Sequence, residues 1–461
     1  MHKNTFRYCM FTITILFIFS CKKYLDKRPD LSLVSPVTLT DAQALLDYST
    51  KMNRNATPSS IEASADDYFL LSSSYNSYYQ ALQDAYVWKN YHDNFPNDWS
   101  SCYQPVYVAN YYLELTSKIK ENDANRSLWE NVHGSALFYR SYYFLELLMT
   151  YTKAYDEATS KKDLGIPLRQ TSDFNDRSVR ADLQDCYDLI TTDLKSASDE
   201  LPGLPAHVQR PSACAAYGLL ARTYLLMNQF DSALKYANLS LSIKHDLMDY
   251  NMTPCSDCDI TGSITSSSNV FKKYNSETVF YTEMNGNITT HSASRALIDT
   301  TLYASYADDD LRRTAFFTAS NGYHKFKGSY TRSSTFFTGI TTAEMYLISA
   351  ECYARLNDVD NAMEQLNTLL LNRISSGNFI PVTASDQADA LNTILEERRK
   401  ELIFRGLRWS DIKRYNEMGA SITLRRIIDG VTYTLAPNAN YYALPLPDDI
   451  IRITGMQQNP M

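Results

Sequence analysis

Two glutamates four residues apart, Glu397 and Glu401, are the first candidates for chemistry in this sequence. On a helix they share one face, and paired carboxylates can act as a general acid and a general base. The other interpretation is an ion-paired helix in which Arg398, Arg399 and Arg408 supply the counter-charges. Because no lone histidine or metal-ligand pattern lies nearby in the sequence, we favour the ion-paired helix.

Motif searches give no better enzymatic candidate. The sequence contains no Walker A loop and no Gly-x-Gly-x-x-Gly, Gly-x-Ser-x-Gly or His-Glu-x-x-His pattern. Cys255 and Cys258 form a lone Cys-x-x-Cys pattern, which we interpret as a loop disulfide or two free thiols rather than a metal or redox site. We therefore predict a protein that is not an enzyme and needs no cofactor or metal. A glycan-degrading enzyme is the alternative, and release of reducing ends from polysaccharides would reveal it.

Aromatic side chains suggest a binding site instead. The chain has 35 tyrosines, and tyrosine combines a flat apolar ring with a polar hydroxyl. Between residues 75 and 99 these rings alternate with Asn, Asp, Gln and Lys, as in a loop that binds a polar ligand. The candidate ligand-binding residues are Trp88, Tyr91, Asn94 and Trp99, with Tyr75 and Tyr78 behind them. The alternative is that Trp88 and Trp99 pack the loop on the scaffold.

The net charge of the chain argues against a nucleic acid ligand. The chain has 461 residues and a formal net charge of −8, so it lacks the excess of cations that would neutralise phosphates. We therefore expect no nucleic acid partner.

Helices must position these residues. Two segments, 212–242 and 342–373, carry a small residue, a Tyr and an Ala with the same spacing, which is Ala221, Tyr224 and Ala233 in the first. This spacing is typical of tetratricopeptide helix pairs. We predict a mostly α fold, with a tetratricopeptide-like helical scaffold and long irregular loop insertions. The longest insertion, 245–339, is rich in Ser, Thr, Asn, Gly and Tyr, and its 285–335 part is expected to close the binding site.

The first residues resemble a bacterial lipoprotein leader. A basic start and an apolar run are followed by Ser20 and Cys21, which is the arrangement of a lipoprotein cleavage site. We predict that residues 1–20 are a signal peptide and that Cys21 is lipidated, so that acyl chains hold the protein on a membrane.

The segment from Ile394 to Tyr415 closely resembles the C-terminal signature of the SusD/RagB family. The matching positions are Glu397, Arg398, Glu401, Leu402, Gly406, Arg408, Trp409, Asp411 and Arg414. The chain departs from the family pattern at Arg405, where an acid is usual, and at Ser410, where an aromatic is usual. Further matches begin at Cys21 and end at Gln458-Asn459-Pro460.

This resemblance implies a single SusD-like domain over 21–461, with an N-terminal part over about 21–240 and a C-terminal part over about 270–461. It also implies an outer-membrane lipoprotein at the cell surface that binds glycans. The implied partner is a SusC-like TonB-dependent transporter, which receives the glycan. A peptide or another nutrient as the ligand remains the alternative. Binding residues are not part of the family signature, so the choice of aromatic residues above depends on their chemistry alone.

Overall fold

The computed structural model describes residues 38–93, 95–268 and 270–461. The predicted signal peptide and the predicted lipidation site at Cys21 lie outside the described residues. Within the described ranges, no helix has the length and apolar character needed to cross a bilayer.

The fold is mostly α-helical, as the sequence predicted. The first helices are α1 (Leu39–Leu46), α2 (Ser49–Met52), α3 (Ser60–Ser64), α4 (Ser72–Asn76), α5 (Gln80–Tyr86), α6 (Asp98–Lys118), α7 (Arg126–Tyr151) and α8 (Leu183–Glu200). They are followed by α9 (Ala213–Leu226), α10 (Phe230–Ile243), α11 (Thr300–Ala304), α12 (Leu311–Phe316), α13 (Thr342–Arg355), α14 (Val359–Leu370), α15 (Gln387–Glu401), α16 (Arg408–Glu417) and α17 (Asp448–Thr454).

The long helices form a scaffold in which neighbours in sequence pack side by side. From α6 to α10 each helix packs on the next, α10 packs on α13, and α13 packs on both α14 and α15. The two predicted helix pairs are α9 with α10 and α13 with α14. Ala221 and Ala233 are fully buried, and Tyr224 stacks on Tyr236 with 5.5 Å between ring centroids. The tetratricopeptide-like prediction is confirmed, because these small residues allow the helices of each pair to approach closely.

Among the described residues, four short antiparallel sheets of two strands each accompany the helical scaffold. They pair β1 (Tyr68–Phe69) with β3 (Leu297–Ile298), β2 (Thr278–Phe280) with β6 (Ile340–Thr341), β4 (Phe317–Ser320) with β5 (Tyr323–Phe326), and β7 (Leu424–Ile428) with β8 (Val431–Leu435). The β1–β3 pair links residues 68–69, which precede the aromatic segment, to the 245–339 insertion. The insertion is therefore held against the scaffold.

The insertion has a hydrophobic core of its own. Phe316, Phe326, Phe336 and Tyr330 are buried there, and Phe404 from the turn after α15 completes the cluster. Cys255 and Cys258 form a disulfide at its edge. A long loop without periodic pattern is thus an ordered, aromatic-filled layer, because the rings bury enough apolar area to offset the cost of ordering it.

Buried ion pairs join the signature helix α15 to this layer. Glu401 accepts hydrogen bonds from Arg373 at 2.8 Å and from Arg312 at 3.2 Å, and Arg373 also binds Glu277 at 2.6 Å. Burial alone would raise the pKa of Glu401, but the two guanidinium groups hold it below its usual value. Glu397 pairs with Arg312 at 2.6 Å.

These contacts correct one detail of the sequence analysis. Glu397 and Glu401 are ion-paired and buried, but Arg398, Arg399 and Arg408 are not their partners. Arg398 pairs with Asp411, and Arg399 and Arg408 both pair with Asp66. Glu397 also pairs with the neighbouring Lys400, but the arginine partners of the two glutamates come from positions that are distant in sequence, which local spacing does not reveal. The division of the mature chain at about 240 and 270 stays a prediction.

We expect the substitution Arg312→Met to destabilise the protein by about 3–5 kcal/mol, because it leaves buried carboxylates without their counter-charge. The neighbouring substitution Arg313→Met is the matched control. Arg313 pairs with Asp308 at the surface, and such a pair contributes less than about 1 kcal/mol. Urea denaturation of both variants measures the difference, and equal losses would contradict a central role for the buried network.

Candidate functional site

Trp88, a predicted ligand-binding residue, is packed inside the protein. Its side chain is 8% exposed, and its indole Nε1 donates a hydrogen bond to the Ser64 carbonyl at 3.0 Å. The guanidinium of Arg426 lies 4.7 Å from the ring centroid. Its backbone is left-handed, with φ at 57°, just after α5. Protein atoms therefore occupy both the polar edge and the ring face that a sugar would need.

The other predicted aromatics are also buried. Tyr91 and Trp99 are each 5% exposed, and Trp99 lies 4.9 Å from the ring centroid of Tyr103. Tyr75 packs on Tyr86 at 5.7 Å. Asn94 lies outside the described residues. The structure therefore distributes these side chains along a packed segment, and their assignment to a ligand site stays a prediction.

Tyr78 is the predicted residue that reaches the insertion. It is half-buried, and its hydroxyl donates a hydrogen bond to the Thr289 carbonyl at 3.1 Å. The guanidinium of Arg295 lies 4.4 Å from its ring centroid. Burial raises the pKa of Tyr78, and the positive charge of Arg295 opposes this rise. The 285–335 segment thus contacts Tyr78, while its expected closure of the binding site stays a prediction.

Two adjoining concavities lie in the insertion next to Tyr78, and they share Ser334 and Phe336. We call them together the insertion cleft. The larger has a volume of about 500 Å³, and the smaller has about 180 Å³. Hydroxyl groups dominate the wall of the larger one, from Ser267, Ser268, Ser294, Thr318, Ser329 and Ser333. Its cations are Lys325, Lys327 and Arg332.

A tight hairpin positions one wall of the insertion cleft. β4 and β5 are joined by Asn321 and Gly322, which both have positive φ, at 50° and 81°, as a two-residue hairpin turn requires. Thr318 and Lys325 are opposite each other in the register, and both line the cleft. Lys325 is fixed further, because its Nζ donates a hydrogen bond to the Ser294 carbonyl at 2.8 Å.

Side-chain hydrogen bonds stiffen the opposite wall. The hydroxyls of Ser329 and Thr331 both donate to the Thr335 carbonyl at 2.7 Å. Such Ser and Thr contacts to nearby backbone define a loop without regular secondary structure. The wall between residues 329 and 335 is thus prearranged before any ligand binds.

Two polar side chains of the smaller concavity have nitrogen atoms without a protein partner. They are Nδ2 of Asn285 and Nδ1 of His291, and both residues are buried. Burial lowers the pKa of His291 to about 3, so its ring is neutral at physiological pH. A buried amide or ring nitrogen without a partner costs stability, and both atoms lie behind the surface of the concavity.

A second groove lies elsewhere, beside α6. Its lining includes Trp99, Tyr103 and Tyr107, and Tyr107 stacks on the exposed Phe174 with ring centroids 4.6 Å apart. Its volume is about 250 Å³. Trp99 lines this groove, whereas Tyr78 contacts Thr289 in the wall of the insertion cleft, so the predicted residues do not converge on one site.

The sequence analysis did not identify Lys325, Lys327, Arg332, Asn285 or His291. They lie within or beside the 285–335 segment that it expected to close the site. The available signal was composition, because this segment combines hydroxyl residues and cations over a long stretch. The sequence does not indicate which of these side chains lie on the same wall of the cleft, because this depends on the hairpin and on tertiary packing.

We expect Trp88→Ala to lower the free energy of unfolding by about 3–5 kcal/mol, since it removes a buried aromatic side chain. Tyr79→Ala is the control, because Tyr79 lies in the same segment but is 64% exposed, and we expect its stability to be close to that of the wild type. Chemical denaturation monitored by fluorescence measures both. A Trp88→Ala protein as stable as the wild type would contradict the packing role.

Comparison with known proteins gives consistent matches. Residues 23–225 match a family described as "Starch-binding associating with outer membrane", and residues 315–461 match one described as "SusD family". A SusD-like protein of Formosa agariphila is 26% identical over 338 residues, which are 59% of this chain and 64% of that protein. The chain thus spans slightly less than two thirds of the length of this curated relative.

Solved structures share the fold. A SusD superfamily protein of Bacteroides thetaiotaomicron aligns with a TM-score of 0.72 at 17% identity, covering 92% of this chain and 100% of that one. A putative sugar binding protein of Bacteroides vulgatus gives 0.69 at 19% identity, covering 92% and 97%. A laminarin-binding SusD-like protein gives 0.63 at 18% identity, covering 91% and 99%.

Proposed function

Because this chain belongs to the SusD family, we propose that it is a cell-surface lipoprotein that binds glycans and delivers them to a TonB-dependent transporter of the outer membrane. The insertion cleft is the observation that carries the binding part of this proposal. Its hydroxyl groups offer the hydrogen bonds that a sugar makes at its edges, and Phe336, which lines both concavities, offers an apolar surface for its C–H faces. Two structural neighbours, named as a sugar binding protein and a laminarin-binding protein, support the same class of ligand.

Binding rather than catalysis fits the arrangement of carboxylates. Glu397 and Glu401, the acid–base candidates, are buried and held by Arg312, with Arg373 on Glu401. The guanidinium groups hold the pKa of Glu401 below its usual value, and both carboxylates are buried away from a substrate. A glycan-degrading activity therefore has no favoured residue pair here.

We expect the wild-type protein to bind at least one member of a panel of oligosaccharides in calorimetry. Tyr78→Ala should weaken that binding about tenfold, because it removes the hydrogen bond to the Thr289 carbonyl and the ring contact with Arg295 that hold the segment lining the smaller concavity. Tyr107→Ala is the control in the groove beside α6, and its affinity should stay at the wild-type value.

Each other outcome has a definite meaning. Loss of binding in Tyr107→Ala with retention in Tyr78→Ala would move the ligand to the groove beside α6. Failure of the wild type to bind any glycan would contradict the proposed ligand class, and peptides would be the next class to test.

The anchoring and delivery parts rest on Cys21 and on family membership. We expect Cys21→Ala to move the protein from the membrane fraction to the soluble fraction, because acyl chains supply its membrane affinity. Purification of the wild type in mild detergent should also recover a transporter barrel. A Cys21→Ala protein that stays in the membrane fraction would contradict lipid anchoring, and repeated isolation without a barrel would contradict the partner.

A further inference from the structure

The chain segments that build the insertion cleft contain no acidic residue. Apart from Asn55, the cleft is lined from segments 262–268, 284–298 and 317–336, which have neither Asp nor Glu, although the whole chain has 52 acidic and 44 basic residues. The same segments carry Arg295, Lys325, Lys327 and Arg332. A cleft lined by one sign of charge concentrates that potential and attracts ligands of the opposite sign. The cleft is thus locally cationic on a protein that is acidic overall.

These cations have no carboxylate partner among the described residues. Lys325 donates to the Ser294 carbonyl, and Lys327 donates to the carbonyls of Ile264, at 2.7 Å, and Ser266. Arg295 lies over the Tyr78 ring. Backbone carbonyls and a ring orient a cation without neutralising it, so the full positive charge remains for a ligand.

Lys327 shows that a partly buried cation without a carboxylate partner is energetically unfavourable. Burial lowers the pKa of its ammonium to about 8, and no neighbouring charge offsets that effect. The buried Lys413 is held in the same way, by the carbonyls of Met149 and Thr152. Arg222 and Arg414 differ, since each binds a glutamate through two nitrogens. An anionic group in the cleft would stabilise the charged form of Lys327, as those glutamates do for their arginines.

We propose that the insertion cleft selects glycans that carry anionic groups, either carboxylates or sulfate esters. This inference rests on the proposed glycan-binding function and names its class of substrate. Lys325, Lys327 and Arg332 contact the anionic groups, while the wall hydroxyls contact the sugar hydroxyls. A neutral glycan would use only the second set of contacts and leave the cations unpaired.

Paired ligands test this inference on the full-length protein. One pair is oligogalacturonides and their carboxyl-reduced, neutral form. The other is sulfated carrageenan oligosaccharides and their desulfated form. We expect at least tenfold tighter calorimetric binding for the charged member of one pair, and the pair that shows it identifies carboxylate or sulfate as the recognised group. Its affinity should fall between 50 and 500 mM NaCl, because salt screens exposed charges.

Variants link the effect to the cleft. Lys325→Gln combined with Arg332→Gln should lower affinity for the charged ligand at least tenfold and leave the neutral member of the pair unaffected. Lys161→Gln, an exposed lysine far from the insertion in sequence, is the matched control and should bind as the wild type does. Unchanged charged-ligand affinity in the double variant would overturn the assignment to the cleft.

The failure of this inference differs from the failure of the proposed function. Equal affinity for the charged and neutral members of both pairs would overturn the anionic preference and leave glycan binding intact. Binding of an acidic peptide with no binding of any glycan would overturn both.

Discussion

The carboxylate of Glu401, buried between two arginines, is the contact on which the arrangement of this protein depends. Arg312 comes from α12 in the insertion and Arg373 follows α14 in the scaffold, while Glu401 itself ends α15. Because charges without partners are costly inside a protein, these segments are stable only in the one relative position that completes the network. Glu277, just before β2, extends it by pairing with Arg373. The insertion therefore has a fixed place on the helical scaffold.

The signature segment reaches from this network to the wall of the insertion cleft. After α15 the chain turns through Phe404 and Gly406, which both have positive φ, and the Gly406 amide donates to Glu62 at 2.9 Å. This turn directs Phe404 into the aromatic layer, where its ring centroid lies 4.7 Å from Phe336 and 4.9 Å from Phe326. Both of those rings line the cleft. Residues that carry no binding role by themselves thus set the position of the surface that would bind a ligand.

The sequence predicted the helical scaffold well and the candidate site less completely, for a physical reason. Helix pairing depends on the local spacing of residues, and the spacing of Ala221, Tyr224 and Ala233 can be seen directly in the sequence. The partner of a buried charge can come from anywhere in the chain, as when Arg222 binds Glu344 across 122 positions. The neighbours of an aromatic ring can also come from anywhere in the chain. Trp88 and Tyr78 lie in one aromatic segment, yet tertiary packing buries the first and brings the second to the insertion. The local sequence does not indicate which face of such a segment is buried by the rest of the protein.

The clustering of cations without carboxylate partners in the insertion cleft supports its role in binding. Most buried arginines of the core pair with carboxylates, and Asp411 bridges Arg398 and Arg414. The exceptions in the core, such as Arg426 and Lys413, are single cations held by backbone carbonyls. Cations left unmatched next to one another repel, and partial burial increases that cost. The chain has ample acidic residues to neutralise Lys325, Lys327 and Arg332, but it places none in the segments that form their cleft. Departures from a protein's own rules of local consistency are expected at functional sites, where a ligand supplies the missing interaction. The uncompensated charge of the cleft therefore supports the proposal that its ligand is anionic.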